Sequence, residues 1–207
     1  MNQFYEENNI EVGLDEAGRG CLLGPVCIGA VIMNDIKSSP PPYEIRDSKK
    51  CSPKVRSELR KYIEENAIAF NVQMVHEERI DKVNILQATM EGMEQCLDDI
   101  TSVLNIDKIL VDGTYFPIYM NKNTFEPISH VCIPGGDDKY LNIAAASILA
   151  KEYHDEYITN LCSENPILNQ YDLMNNKGYG TKSHMEALKE YGPTIWHRKS
   201  FKPCNPN

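Results

Sequence analysis

Two adjacent carboxylates at the mouth of a glycine-rich turn, Asp15 and Glu16 in Gly13-Leu14-Asp15-Glu16-Ala17-Gly18-Arg19-Gly20-Cys21, are the residues of this chain best suited to chemistry. They follow a strand-like run from Ile10 to Leu14. Side chains alternate faces along a strand, so the pair is predicted to converge on one point, with the strand ending there and Gly18 and Gly20 supplying the bend. Around Arg19 the missing Cβ atoms let main-chain N–H groups approach a phosphate or a sugar. Acids beside bare backbone point to metal-assisted phosphate chemistry.

Two more acids stand out by their setting. Asp112 follows the short apolar run Lys108-Ile109-Leu110-Val111 and precedes Gly113, at the strand edge where open α/β sheets place ligands. Asp137 follows Gly135-Gly136 just before a helix, with Asp138 beside it. Asp-Gly is also a common turn and an Asp at a helix start a common cap, so the residues alone leave these roles open beside metal ligation. Converging carboxylates at ~4 Å repel by several kcal/mol per pair at an effective dielectric of ~20, which a hard dication relieves. Oxygen-only ligands favour Mg²⁺ or Mn²⁺ over zinc.

The elements that must position these acids alternate. Val26 to Met33 is a continuous apolar run and reads as a buried second strand. Ser52-Pro53 marks a helix start, with Val55, Leu59, Tyr62 and Ile63 at helical spacing until Asn66. Ala67 to Val75 is predicted as a third strand, and Asn84 to Leu104 as a helix delivering the chain to Lys108-Val111. Glu126 to Ile133 reads as a fifth strand, turned by Pro134-Gly135-Gly136 into a helix reaching about Cys162, whose first part, Ile143 to Ala150, is small and apolar. Thr181 or Ser183 can cap a final helix ending near Gly192-Pro193. The pattern is that of a mixed α/β sheet.

A chain of 207 residues suits one domain. Its polar, acidic start has no apolar signal core, no run approaches a membrane span, and seven scattered cysteines contain no C-x-x-C pair. A soluble, intracellular, reducing setting, cytoplasmic in the simplest case, is expected. The net charge of -9 counts against nucleic acid at first sight, but its distribution is uneven. Arg46 to Lys61 holds seven Lys and Arg against Asp47 and Glu58, and 177–207 holds six against Glu186 and Glu190. These two basic stretches are either flanks of an acidic, cation-filled centre or ordinary solvated helix surface. Lys49, Lys50, Lys177, Lys182 and Arg198 are candidate phosphate contacts.

The glycine-rich block resembles the signature of ribonuclease HII, the type 2 ribonuclease H family. The remainder of that pattern follows in order: Asp47-Ser48-Lys49-Lys50, Val111-Asp112-Gly113, Gly136-Asp137 leading into Ala144-Ala145-Ala146-Ser147, Asn176-Lys177-Gly178-Tyr179-Gly180-Thr181-Lys182-Ser183-His184, and Gly192-Pro193 through His197-Arg198-Lys199-Ser200-Phe201. The similarity runs from about Ile10 to Pro203.

That resemblance implies one ribonuclease H-like catalytic domain over 1–207, a mixed sheet flanked by helices with a small C-terminal helical extension, about 165–207, contributing to substrate binding. Asp15, Glu16, Asp112 and Asp137 match the family's metal-binding acids, expected to hold two Mg²⁺ or Mn²⁺ ions. The implied reaction is hydrolysis of the RNA strand of RNA–DNA hybrids, and cutting at ribonucleotides embedded in duplex DNA, leaving a 3′-hydroxyl and a 5′-phosphate. Gly18, Arg19 and Gly20, with Tyr179, match the residues that sense the 2′-hydroxyl, Tyr179 packing on the deoxyribose that follows. No membrane partner and a monomer are expected. Asp155 is a candidate to orient the ligands from behind, and His184 and His197 carry no assigned chemistry. Gly135 stands where the family commonly has lysine, which leaves the choice between Asp137 and Asp138 resting on spacing.

Overall fold

The computed structural model describes residues 1–205. At its centre is the apolar run Val26–Met33, strand β2, all of whose residues are buried because both faces of the sheet are covered. Strand β1 (Glu11–Ala17) pairs antiparallel with β2, and β2 pairs antiparallel with β3 (Ala67–Val75). On its other side β1 runs parallel to β4 (Lys108–Asp112), which runs parallel to β6 (Pro127–Ile133). A two-residue strand β5 (Tyr119–Met120) closes the order β3-β2-β1-β4-β6-β5.

Helix α1 (Pro53–Asn66) begins at Ser52, whose hydroxyl accepts from the Val55 N–H, with proline at the first helical position. Helices α2 (Glu77–Val83) and α3 (Ile85–Thr101) meet at Asn84, which sits at φ 73° and whose side chain accepts from the Gln87 N–H. Helix α3 lies on one face, where Met93 and Leu97 meet Val12, Leu14 and Ile28. The other face is covered by α1 and α4 (Leu141–Glu164), joining Leu59 and Ile63 to Val31, Ala145 and Leu149. Each such fully buried Leu or Ile contributes about 1.5–3 kcal/mol.

The small-residue start of α4 has a geometric reason. A Cβ on Gly13 would lie 2.2 Å from the Asn142 carbonyl carbon, and one on Gly29 2.3 Å from the Ala146 oxygen. Backbone therefore rests on backbone, and Asn142 fastens the contact by accepting from the Met33 N–H and donating to the Glu11 carbonyl. This places α4 directly behind the acid-bearing end of β1.

The chain after α4 passes through α5 (Leu173–Asn176) to α6 (Lys182–Tyr191), capped by Thr181 rather than Ser183. Leu168, Tyr171, Leu173 and Leu188 pack with Ile158 and Leu161 of α4 and with Leu22 and Leu23, so this extension is welded to the glycine-rich loop. Pro206 and Asn207, the end of the expected 165–207 extension, lie outside the described residues. All seven cysteines are free thiols. Among the described residues no helix is long and apolar enough to cross a membrane.

Two elements depart from the sequence pattern. Helix α2 and strand β5 were not expected: α2 buries only Glu77 and Ile80, and β5 is two residues long, so neither carries a readable period. The first basic stretch is also less free than its charge implies. Arg56 is bound to Glu152 at 2.6 Å, and Arg60 to Glu156 at 2.9 Å, so both are neutralised against α4.

Candidate active site

Strand β1 does not end at Leu14. It runs through to Ala17, with Asp15 opposite Gly29 and Glu16 opposite Ile28 on β2. The expected bend between the two acids is absent, and strand parity sends them to opposite faces. Asp15 shares the face of Gly13, under α4, and Glu16 shares the face of Val12 and Leu14, under α3. Asp112, last residue of the parallel strand β4, falls on the α4 face by the same parity, beside Leu110, which packs on Ile143. Asp137 arrives from the 3₁₀ turn Gly136–Asp138 that leads into α4.

Three acids thereby meet. Asp15, Asp112 and Asp137 each present a carboxylate oxygen within 4.8 Å of the others. Their frame is made by backbone donors: the Gly136 N–H donates to Asp112 Oδ1 at 2.7 Å, and the Glu16 N–H to Asp15 Oδ1 at 2.7 Å. Asp138 turns away to an exposed pair with Lys50 at 2.5 Å. Glu16 stands at the rim, 3.4 Å from the Arg19 guanidinium.

Crowding shows in the acidities. Burial, then the charges of Glu16 and Asp112, push the Asp15 carboxyl well above the usual carboxylate range. Burial, then Asp112 and Asp47, push Asp137 up to about 6. Glu16 is raised too, chiefly by burial, with Arg19 opposing. A hard dication fits this set: all donors are oxygens, and oxygens ~2.0–2.6 Å from a common ion lie up to ~4–5 Å apart, the span observed. Bound there, it would offset the repulsion that raises these acids.

Beside the acids lies the loop Gly18-Arg19-Gly20. Gly18 takes φ 78°, and a Cβ there would meet the His154 ring at 2.5 Å. The loop is held from beneath by Arg198, which is fully buried and donates to the carbonyls of Gly24, Arg19 and Gly18 at 2.9, 2.9 and 2.7 Å. Expected at a phosphate, Arg198 is instead out of a phosphate's reach, and its planar fork is matched to the loop's own backbone.

Tyr179 flanks the loop from the other side. The Leu22 N–H donates to the Gly178 carbonyl at 2.8 Å, and Gly20 faces the Tyr179 ring, where an added Cβ would sit 3.9 Å from Cε1. Two buried histidines fix this tyrosine. The Thr194 N–H donates to His197 Nδ1 at 2.9 Å, so His197 carries its proton on Nε2 and donates to His184 Nε2 at 3.0 Å; His184 Nδ1 then donates to the Tyr179 carbonyl at 3.0 Å. Burial lowers the pKa of both, that of His197, where His184 adds to the effect, to about 3, so the chain of bonds stays neutral.

Tyr179 borders a pocket of about 310 Å³ with Glu16, Ser48, Lys49, Ser147 and Lys151. Lys49 therefore does lie beside the acids. Lys177 is drawn to Thr159 of α4 at 3.0 Å, and Lys182 stands in solvent, 3.8 Å from Glu186. Asp155 accepts from Lys151 at 2.7 Å and lies 3.2 Å from His154, which lowers its carboxyl despite burial, and it stands apart from the three-acid cluster.

Ser147 has no role in the sequence analysis, and His184 and His197 are given no chemistry there. Ser147 is buried, 3.0 Å from Ser48 in the Asp47-Lys50 segment, and its hydroxyl lowers Asp15 against the larger effects that raise it. Its signal was present, a single hydroxyl in the apolar run Ile143–Ala150. The histidines gave no such sign, because beyond each other and the Thr194 hydroxyl their partners are main-chain atoms.

The chain matches the family model described as Ribonuclease HII over residues 12–204. It is 43% identical over 199 residues to the "Ribonuclease HII" of Parabacteroides distasonis, covering 96% of this chain and 92% of that protein. Among solved structures it is similar to the ribonuclease H2 of Pyrococcus horikoshii OT3, with TM-score 0.74 and 24% identity over 95% of each chain. A "Bst-RNase HIII in complex with Mn2+" gives TM-score 0.68 at 16% identity, covering 94% of this chain and 67% of that one. The last two show a shared α/β ribonuclease H-like fold.

Proposed function

The chain belongs to the ribonuclease HII family, divalent-metal-dependent endoribonucleases acting on RNA in RNA–DNA hybrids, and from that premise we propose that it also cuts duplex DNA at single embedded ribonucleotides by a two-ion hydrolysis leaving 3′-hydroxyl and 5′-phosphate ends. The observation that carries this reading is the meeting of Asp15, Asp112 and Asp137 within 4.8 Å, beside a glycine loop fastened to Tyr179.

Asp15, Asp112 and Asp137 would hold the ions, Mg²⁺ or Mn²⁺, with Glu16 reaching in from the rim. Bound ions supply a water nucleophile at neutral pH and charge stabilisation at the attacked phosphate. The rest is the work of this chain. The main chain of Gly18-Arg19-Gly20, locked by Arg198, presents rigid donors and acceptors where a 2′-hydroxyl is to be sensed. Tyr179 offers a half-exposed ring to the following sugar, with its hydroxyl as a polar tip. Lys49 contributes positive charge at the pocket between them.

The test is cleavage of a DNA duplex carrying one ribonucleotide, with Mg²⁺, with Mn²⁺ and with chelator, followed by analysis of the product ends. Metal-dependent cutting with a 3′-hydroxyl is expected. A 2′,3′-cyclic phosphate, or cutting that survives the chelator, would overturn the mechanism.

A further inference from the structure

A second pocket opens beside the acids on the α3 face of the sheet. Glu16, Arg19, Asp112, Leu86, Met90 and Tyr115 line it, and of these only Glu16 also borders the pocket of Tyr179. Tyr179 thus lies on the α4 side of the acids and Tyr115 on the α3 side. A strand whose phosphate rested at the acids would leave them in two directions, one toward the side of each tyrosine.

Tyr115 is built for display rather than packing. Its side chain is 55% exposed, while the next residue, Phe116, is buried in the α3-face core and meets His130 edge-on at 5.4 Å. The anchor holds the loop, and the loop holds the ring out. Leu86, also half in solvent, and Met90 supply an apolar floor, and the Arg19 side chain adds a cation at the edge. The recess measures about 60 Å³, room for part of a sugar and too little for a base. Bases in a duplex stay stacked, and what they leave uncovered in the shallow groove is the sugar edge.

We propose that this recess receives the sugar of the nucleotide on the 5′ side of the cleaved bond, with the Tyr115 ring packed against it. The direction rests on the reading above, in which Tyr179 takes the sugar on the 3′ side. The ring's flat apolar body and polar tip match a sugar's mixed surface. Tyr115 is then a substrate-binding residue that sets register across the acids, as Tyr179 does from the other side.

The experiment compares wild type, Tyr115→Ala and Tyr115→Phe on a duplex with one ribonucleotide, either unmodified or bearing a 2′-O-methyl group on the nucleotide immediately 5′ to the bond that is cut, located from the product ends. On the unmodified duplex Tyr115→Ala should raise KM by roughly fivefold to tenfold with kcat within about twofold, and Tyr115→Phe should restore KM. A 2′-O-methyl penalty is expected in wild type and should shrink in Tyr115→Ala, because the group it collides with has gone. An unchanged KM in Tyr115→Ala, or a 2′-O-methyl penalty equal in both proteins, would overturn the subsite while leaving the hydrolase reading intact. A wild type that cuts neither duplex with either ion would overturn the hydrolase reading and the subsite with it.

Discussion

Replacing Asp137 by asparagine should stabilise the metal-free protein while abolishing cleavage. Its carboxyl, ordinarily at 3.8, is pushed up to about 6 by burial, then by Asp112 and Asp47. The gap is about two pH units at about 1.4 kcal/mol each, so the ionised carboxylate opposes folding by at most ~3 kcal/mol. Water at the open side of the site screens the neighbouring charges, and we take about half, ~1–2 kcal/mol. A raised carboxyl makes the folded chain the tighter proton binder. Well below 3.8 the group is protonated in both states and Asp137→Asn has no advantage; from there to about 6 the unfolded chain ionises first and the advantage grows; above about 6 it is level. Thermal unfolding in chelator should therefore show Tm higher by about 3–6 °C at pH 7.5 and by no more than about 1 °C near pH 4. Added Mg²⁺ should reverse the order, since the ion stabilises only the folded state and wild type holds it better. Asp138→Asn, which loses only an exposed pair with Lys50, should follow wild type at every pH and keep its activity. A destabilised Asp137→Asn in chelator at pH 7.5, or an advantage undiminished near pH 4, would refute the crowding of these acids.

Asp15→Asn or Asp112→Asn should lower kcat by about a hundredfold or more with duplex Kd within about threefold, measured by gel shift; retained turnover would remove either residue from the metal site. Tyr179→Ala should cost about tenfold more on a single embedded ribonucleotide than on a long hybrid, and equal losses would end its role at the sugar junction. Arg198→Ala removes the donor of the Arg19 and Gly24 carbonyls and one of the two donors of the Gly18 carbonyl, and should cost ~3–5 kcal/mol in urea unfolding; a cost under ~1 kcal/mol would show that the loop holds itself.

The elements with a long period were legible in the residues. Helix α1 lies at Pro53–Asn66 and strand β3 at Ala67–Val75, as spacing and the Ser52-Pro53 start indicated. Local patterns fail where a residue's partner is far along the chain. Arg198 reads as surface charge in sequence, yet it is buried under carbonyls 174 to 180 positions away. Arg56 and Arg60 read as half of a basic face, yet they are committed to α4 acids 96 positions on. Charge gives the sign of a side chain's partner and says nothing of its location.

The acid pair is the sharpest case. Asp15 and Glu16 read as two ligands for one point, which needed the strand to stop, and instead strand β1 continues through both to Ala17. Parity then divides their labour: Asp15 joins Asp112 and Asp137 on the α4 face, and Glu16 borders the recesses on both faces. An unbroken strand is the stiffer support, since Asp15 and Glu16 keep the β2 pairing with Gly29 and Ile28 that a bend would forfeit. It also leaves Glu16 bordering the recesses of both tyrosines, so a substrate strand laid across that end is gripped on both sides of the bond to be cut. A chain in which Gly18 and Gly20 bent the strand earlier would bring Glu16 onto the α4 face and leave Asp112 as the one acid bordering the recess of Tyr115.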